Sequence, residues 1–417
     1  MVFASIITIG DELLIGQVVD TNSAWMARTL NANGIWLKRR VAVGDNSADI
    51  IRALDEESRE ADIILITGGL GPTADDITKP VLCEYFGGKL VVNEDALNNV
   101  KAIFAKLAKD RPILERNLKQ AEVPDTCTVI HNGRGTAPGM WFEKNGKIYV
   151  SMPGVPHEMQ GMMTDSVIPK LGNYFKMPFI LHRTLVTAGI GESALAEHII
   201  HWESALPKNI KLAYLPNYGM VRLRLTGSSD EKVMLDKELD VQFASLTNLV
   251  SEWLVTDKDQ TLQQVIGELM LARKKTLSTA ESCTGGYIAH LLTAEAGSSA
   301  YYQGGVVSYS NHVKENMLNV SHDTLLTDGA VSEHTVIQMV KGGLSRLQTD
   351  YCVAVSGIMG PGGGSEAKPV GTVWIAAGSA ERIETQKFSF RFNRQRNIEL
   401  TANAALNLLR KVVLSGG

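Results

Sequence analysis

Hydroxyl and thiol side chains crowd the run Thr279-Ala280-Glu281-Ser282-Cys283-Thr284-Gly285-Gly286, which lies between an apolar strand pattern and an apolar helix pattern. Open α/β sheets do their chemistry at such strand-to-helix junctions. A helix N-terminus leaves backbone N–H groups unpaired and partly positive, so a Ser or Cys there stands beside donors for an oxyanion. Gly285 and Gly286 allow a ligand to approach the backbone, and Thr284 offers a further hydroxyl. N-capping by Ser282 or Thr284 is the structural alternative. Further along stand Ser299, a second hydroxyl nucleophile; Tyr309 and Lys314, five residues apart at another strand-to-helix junction; Ser356 at a strand end; and Arg396 at a helix start. Together they offer a nucleophile, a proton relay and an anion grip. Lys314 can be a base only if burial or a neighbouring cation lowers its pKa. The loop Gly360-Pro361-Gly362-Gly363-Gly364, followed by Lys368, has the glycines and the cation of a phosphate loop, with a surface turn as its alternative.

A second constellation lies near the amino terminus, in Thr67-Gly68-Gly69-Leu70-Gly71-Pro72-Thr73-Ala74-Asp75-Asp76. Gly69, Gly71 and Ala74 formally spell G-x-G-x-x-A. A dinucleotide fingerprint follows the first strand of its unit, however, whereas this loop follows the third and ends in two carboxylates. Glycines beside Asp75 and Asp76 suit a phosphate cradle with oxygen ligands for a divalent cation, and Asp11 and Glu12 at the end of the first strand are expected at the same crevice. Helix capping is the alternative for these carboxylates. Two Gly- and Pro-rich stretches, residues 132–140 with Thr136 and residues 152–159 with Pro153, Gly154 and Glu158, read as rigid surface loops.

These residues must be positioned by α/β units. Strands are expected at residues 2–9, 35–43, 63–67 and 147–152, and helices near 21–31, 47–60 and 77–86, which specifies a doubly wound parallel sheet closing near residue 171. From about residue 173 the order becomes strand 182–188, helix 192–202, strands 211–216 and 220–227, then helix 230–253: a small α+β module of KH-like order that lacks a G-x-x-G loop between helices. After a polar joint at 255–260, α/β alternation resumes with helix 262–273, strands 276–280, 304–310, 351–356, 371–377 and 385–392, and helices near 332–347 and 396–414. The expected domains are 1–172, 173–255 and 256–417.

The 417 residues, 44% of them hydrophobic, suffice for such cores. No apolar run approaches the ~20 residues of a membrane span, and the amino terminus has no basic leader, so a cytoplasmic protein without a membrane partner is expected. The four cysteines, at 83, 127, 283 and 352, form no C-x-x-C pair, which argues against disulfide and zinc frameworks. With 41 basic and 45 acidic residues and no long basic run, nucleic acid is not an expected partner.

The stretch Ile9-Gly10-Asp11-Glu12-Leu13-Leu14-Ile15-Gly16, residues 68–76, the Gly135 to Gly139 loop and the Pro153 to Glu158 loop together resemble the molybdopterin-binding-like domain of the CinA (competence/damage-inducible protein A) family. The final third resembles that family's amidohydrolase half, so the resemblance spans essentially the whole chain. It implies an amino-terminal domain that hydrolyses ADP-ribose to AMP and ribose 5-phosphate with a divalent metal (Mg, Mn or Co), a KH-type middle domain, and a carboxy-terminal domain that deamidates nicotinamide mononucleotide (NMN) without a cofactor. The implied metal ligands are Asp11, Asp75, Asp76 and Glu158. The implied nucleotide contacts are Gly68, Gly69, Gly71, Thr73, Thr136, Pro153 and Gly154. For the deamidase the implied functional residues are Ser282, Ser299, Tyr309, Lys314, Ser356 and Arg396, with Thr284, Gly285, Gly286, Gly362, Gly363 and Lys368 around the substrate. Many relatives carry Thr where Ser356 stands, a change that keeps the hydroxyl, and a small residue where Met359 stands, so Met359 is expected to narrow the pocket slightly. A homodimer is expected.

Ser282, Cys283 and Ser299 compete as nucleophile. Ser282 is favoured, because the following glycines bring N–H donors near it and Lys314 with Tyr309 supplies a Ser–Lys route for its proton, whereas Cys283 has no His nearby in sequence. Two alternatives stay open: a pterin nucleotide in the first domain, and a non-catalytic nucleotide-binding scaffold related to competence.

Overall fold

The computed structural model describes residues 1–73, 75–107 and 112–416. They form a mixed α/β protein that divides into two compact units, Met1–Leu181 with Gly227–Asp236, and His182–Thr226 with Lys237–Gly417.

The first unit is built on a six-stranded sheet in the order Ile35–Val43, Val2–Ile9, Ile63–Thr67, Lys147–Met152, Gly139–Lys144, Thr128–Ile130. The first four strands are parallel, and Gly139–Lys144 runs antiparallel to both its neighbours. Ile63–Thr67 is buried along its whole length, as continuous apolar strands are when both faces of a sheet are covered. Its alternate residues feed separate cores: Ile63 and Leu65 pack with Met26, Leu30 and Met159, whereas Ile64 and Ile66 pack with Leu54 and Leu82. From Val2–Ile9 the chain crosses to one side for Ile35–Val43 and to the other for Ile63–Thr67. That reversal opens a crevice at the carboxyl ends of the central strands.

In the second unit a five-stranded sheet has the order Tyr302–Val307, Leu277–Glu281, Tyr351–Gly357, Thr372–Gly378, Ile383–Ser389. Its first three strands are parallel and the last two antiparallel. Val353 and Val355 face a core that includes Ile266 and Met270 from the helix Leu262–Arg273 and Leu406 and Leu409 from the helix Arg394–Ser415. Cys352 and Ala354 face the opposite core, with Val336, Met339 and Val340 of the helix Glu333–Leu347. Leu277–Glu281 is again the reversal point, so its carboxyl end, where Ser282 stands, is the expected ligand crevice. A four-stranded sheet has the order Ile210–Asn217, Met220–Ser229, Phe179–Ala188, Leu254–Thr256, and the helices Glu192–Ser204 and Lys232–Leu249 accompany these strands in sequence.

Most strands fall within a few residues of their expected positions. The exceptions have local causes. The helix Glu94–Leu107 and the strands Leu90–Val92, Glu122–Pro124, Thr128–Ile130, Gly139–Lys144 and Leu254–Thr256 have no counterpart in the sequence reading; three-residue strands are too short to show a period of two, and residues 135 and 137–140, expected in a surface loop, are buried where the chain enters Gly139–Lys144. The final helix begins at Arg394 rather than near 396, because Asn393 caps it by accepting from the Arg396 amide. Among the described residues no helix is long and apolar enough to cross a membrane.

Candidate active site

Ser282 follows Leu277–Glu281, the second strand of the five-stranded sheet, and its amide is bonded to the Val355 carbonyl of the neighbouring central strand, 3.0 Å away. Only 8% of it is exposed, and its Oγ lies 2.9 Å from Lys314 Nζ. Lys314 comes from the helix Asn311–Leu318, whose N-cap Ser310 accepts from the Val313 amide. At 1% exposure it is one of the largest fully buried side chains, and Nζ also donates to the Ser308 carbonyl at 2.7 Å. Neither of these acceptors is a carboxylate. Burial therefore lowers the Lys314 pKa, while Cys283 acts weakly in the opposite direction. A serine hydroxyl beside a buried, charge-disfavoured amine is the arrangement a Ser–Lys nucleophile requires.

Ser356 at the end of Tyr351–Gly357 donates to the Ala330 carbonyl at 2.6 Å. Tyr309 is 62% exposed, and its phenol oxygen accepts from Arg394 Nη2 at 3.1 Å, while Arg394 Nη1 donates to the Gly360 carbonyl at 2.9 Å. A cavity of about 180 Å³ is lined by Ser282, Cys283, Tyr309, Lys314, Ser356 and Arg394, with Met359 also on its wall. Four of the six expected catalytic residues thus meet around one space.

The other two do not reach it. Ser299 is exposed in the short turn Ser298–Ala300, and the Arg396 guanidinium lies 4.0 Å over the Phe392 ring. Arg394 takes the place expected of Arg396, because capping at Asn393 puts residue 394 in the first turn facing the cavity. Reading Asn393 as the cap would have found it. Gly362 and Gly363 are exposed and outside the cavity lining, and Lys368 Nζ is committed to the Asp328 carbonyl at 2.6 Å. Burial pushes the Cys283 thiol up to about 12, which leaves it protonated and unreactive at neutral pH.

The expected oxyanion donors are corrected as well. Glu281, 1% exposed, accepts from the amides of Gly286 (3.1 Å), Ile288 (3.0 Å) and Ala289 (2.8 Å) and from the Thr284 hydroxyl (2.7 Å). The Gly285 amide is bonded to the Ser282 carbonyl. The helix N-terminus is therefore satisfied from within, and Thr284, Gly285 and Gly286 shape the turn without lining the cavity. Among the described residues the Cys283 and Thr284 amides have no acceptor, which leaves them as the backbone donors nearest Ser282 Oγ in sequence.

The crevice of the first unit holds a larger cavity, about 490 Å³, whose lining includes the expected Gly68, Gly69, Gly71, Thr136, Pro153 and Gly154. Gly68, at φ +111°, could not carry a Cβ, which would lie 2.1 Å from the Ile9 carbonyl oxygen. Asp76 and Glu158 line the cavity, but Thr73, Asp11 and Asp75 do not. Thr73 instead donates its amide to Asp76 Oδ2 at 2.9 Å, and its hydroxyl bonds the same oxygen. Asp11 and Asp45 bind reciprocally, each amide to the other carboxylate at 3.2 Å, and Asn132 Nδ2 holds Glu158 at 2.6 Å. Burial raises the Asp45 pKa against the lowering effect of the Asp11 amide, and the charges of Asp11, Glu12 and Asp75 add to the rise. No three Asp, Glu, His or Cys side chains among the described residues come together as a metal site. The expected four-carboxylate ligand set is thus not gathered as one cluster among the described residues: Asp11 and Asp75 lie near Asp45, and Asp76 and Glu158 on the cavity wall.

Three family models match consecutive parts of the chain: a probable molybdopterin binding domain over residues 5–173, the damage-inducible protein CinA KH domain over 182–254, and the CinA C-terminal domain over 259–413. The fold is accordingly a molybdopterin-binding-like α/β domain, a small KH-type domain and a CinA C-terminal domain. A CinA-like protein of Cytophaga hutchinsonii is 45% identical over 410 residues, which cover 98% of this chain and 98% of that protein. One of Chloroherpeton thalassium is 43% identical over 98% of this chain and 99% of its own length. Among solved structures, the competence/damage inducible protein CihA of Agrobacterium tumefaciens is 41% identical, covers 36% of this chain and 93% of its own, and superposes with a TM-score of 0.36. Identity sustained over nearly the full length of both chains makes this protein a member of the CinA family.

Proposed function

We propose that the second unit is a nicotinamide-nucleotide amidohydrolase that converts NMN to nicotinate mononucleotide and ammonia. The observation that carries this reading is the buried Ser282–Lys314 pair at 2.9 Å, with no carboxylate among the acceptors of Lys314 Nζ. Ser282 Oγ attacks the carboxamide carbon as its proton passes to the Lys314 amine, and the resulting oxyanion is met by the free amides after Ser282. Lys314 then returns the proton to the departing ammonia. Water attacks the ester so formed, releasing the carboxylate and restoring the Ser282 hydroxyl. Arg394, braced on Tyr309 and Gly360 at the cavity rim, suits the 5′-phosphate. The test is ammonia release from NMN by the full chain. A protein that binds NMN without releasing ammonia would favour the non-catalytic scaffold.

The cavity of the first unit favours a second activity in the same chain, cleavage of the diphosphate of ADP-ribose by water to give AMP and ribose 5-phosphate. Glycine backbone at the crevice suits a diphosphate, and about 490 Å³ accommodates a nucleotide. The substrate expected is ADP-ribose as its divalent-cation complex, since such cations are held by one or two carboxylates together with substrate phosphates. AMP formation from ADP-ribose, with and without chelator, tests it.

A further inference from the structure

Glu281 enters none of the chemical steps above, yet it touches both halves of the reactive pair. Its carboxylate gathers four donors from residues 284–289 and so fixes the turn that carries Ser282. Its main-chain carbonyl accepts from the Ser308 amide at 2.7 Å, and the Ser308 carbonyl in turn accepts from Lys314 Nζ at 2.7 Å. A buried carboxylate is costly unless its lone pairs are satisfied, and here the helix N-terminus satisfies them, so the charge is spent on the turn rather than on Lys314. Consistent with this, Glu281 is not among the groups that shift the Lys314 pKa.

We propose that Glu281 is a positioning residue: one side chain and one carbonyl together set the separation of Ser282 Oγ and Lys314 Nζ, so the reactivity of Ser282 depends on a carboxylate that never meets substrate. The inference rests on Ser282 being the nucleophile, as proposed above, but not on the identity of the substrate.

The test uses the full chain and a fluorophosphonate probe, which joins serine oxygen to phosphorus as fluoride leaves and the hydroxyl proton passes to Lys314. Glu281→Gln keeps the shape but turns an amide donor toward one of the N–H groups it should accept. It should slow Ser282 labelling at least ~10-fold while the final extent stays at one label per chain, because a displacement of about an ångström at a reacting pair has effects of this order or more. With NMN, kcat should fall by a similar factor and KM should stay within ~2-fold. A purely structural role would instead reduce the final extent of labelling, leaving the rate per competent site unchanged. Thr284→Val, which removes one donor and keeps the carboxylate, should slow labelling by a smaller factor of about 3, and it decides the matter if Glu281→Gln does not fold. Labelling at the wild-type rate in a folded Glu281→Gln, or in Thr284→Val when that variant must decide, overturns the proposal. A wild-type protein that takes no label at Ser282 overturns the nucleophile and this role together. One that is labelled but releases no ammonia from NMN overturns the substrate alone.

Discussion

Replacing Lys314 by Met removes the amine while leaving a stem of similar length in a fully buried site. Three hydrogen bonds go, at 2.9 Å to Ser282 Oγ, 2.7 Å to the Ser308 carbonyl and 3.5 Å to the Tyr309 carbonyl, and stranding the Ser308 carbonyl costs about 1–3 kcal/mol. Against this stands relief from burying an ammonium, about 1.4 kcal/mol for each tenfold by which burial raises its acidity. The two effects oppose, so the fold should survive with a small net change in stability. The rate should not survive. General-base assistance contributes about 10²–10⁴-fold, and loss near the middle of that range, about 10³ in kcat, is expected. The pH dependence carries a second signature. Because the folded pKa lies below the unfolded one, the unfolded chain binds more protons between them. Wild-type stability should therefore rise with pH through that window and be lower, by a constant amount, beneath it. Lys314→Met should lack the rise. Wild-type kcat/KM for NMN should also climb with pH as Lys314 loses its proton, and level off below the ordinary lysine range. Ammonia release and thermal unfolding across pH check both. A folded Lys314→Met that keeps more than about a tenth of wild-type kcat refutes the base assignment.

Ser282→Ala should lower kcat by at least ~10³-fold, whereas Cys283→Ala, which removes a thiol pushed up to about 12, should cost less than ~10-fold; a dead Cys283→Ala would reverse the assignment. Arg394→Ala should raise KM for NMN about 10-fold or more with a smaller change in kcat, while Arg396→Ala, whose guanidinium rests on Phe392, should stay within about 3-fold; steady-state kinetics with NMN would show the opposite order if the sequence expectation were right. Chelator should abolish AMP formation from ADP-ribose and leave ammonia release from NMN intact, and Asp76→Ala should slow the former at least ~10-fold while Asp75→Ala, outside the cavity lining, has less effect. Equal losses for the two Asp variants would show that the acidic loop rearranges around its substrate.

The sheets were legible because their strands are short, continuous apolar runs. Ile63–Thr67 and Tyr351–Gly357 are buried along almost their whole length, and that pattern survives in one dimension. The crevice positions followed, since reversal of strand order fixes where ligands bind. Ser282 and Lys314 stand out instead by residue type at strand-to-helix junctions, since the strands before them, Leu277–Glu281 and Tyr302–Val307, are not continuous apolar runs. What sequence did not reveal is which groups are already spent. The helix amides after Gly285, free in the sequence reading, are bonded to Glu281, and Asp11 is bonded to Asp45 across 34 positions. Hydrogen bonds of that kind depend on three-dimensional approach and leave no periodic trace. The Arg394 and Arg396 exchange is finer: two residues along a helix turn a side chain by some 200°, so the cap position decides which arginine faces the cavity.

The helix Arg394–Ser415 has a consequence for the order in which the protein becomes competent during synthesis. Its buried residues, among them Ala402, Ala405, Leu406 and Leu409, complete the core beneath the five-stranded sheet, and its first turn delivers Arg394 to the cavity. Ser282 and Lys314 emerge from the ribosome long before it. A nascent chain can therefore hold its reactive pair while lacking both the anion grip and one wall of the hydrophobic core, and docking of this one helix supplies the two together. Maturation of this site and closure of this core are a single event, so a partly made chain that ends before this helix lacks the cavity's arginine and the last wall of the core at once.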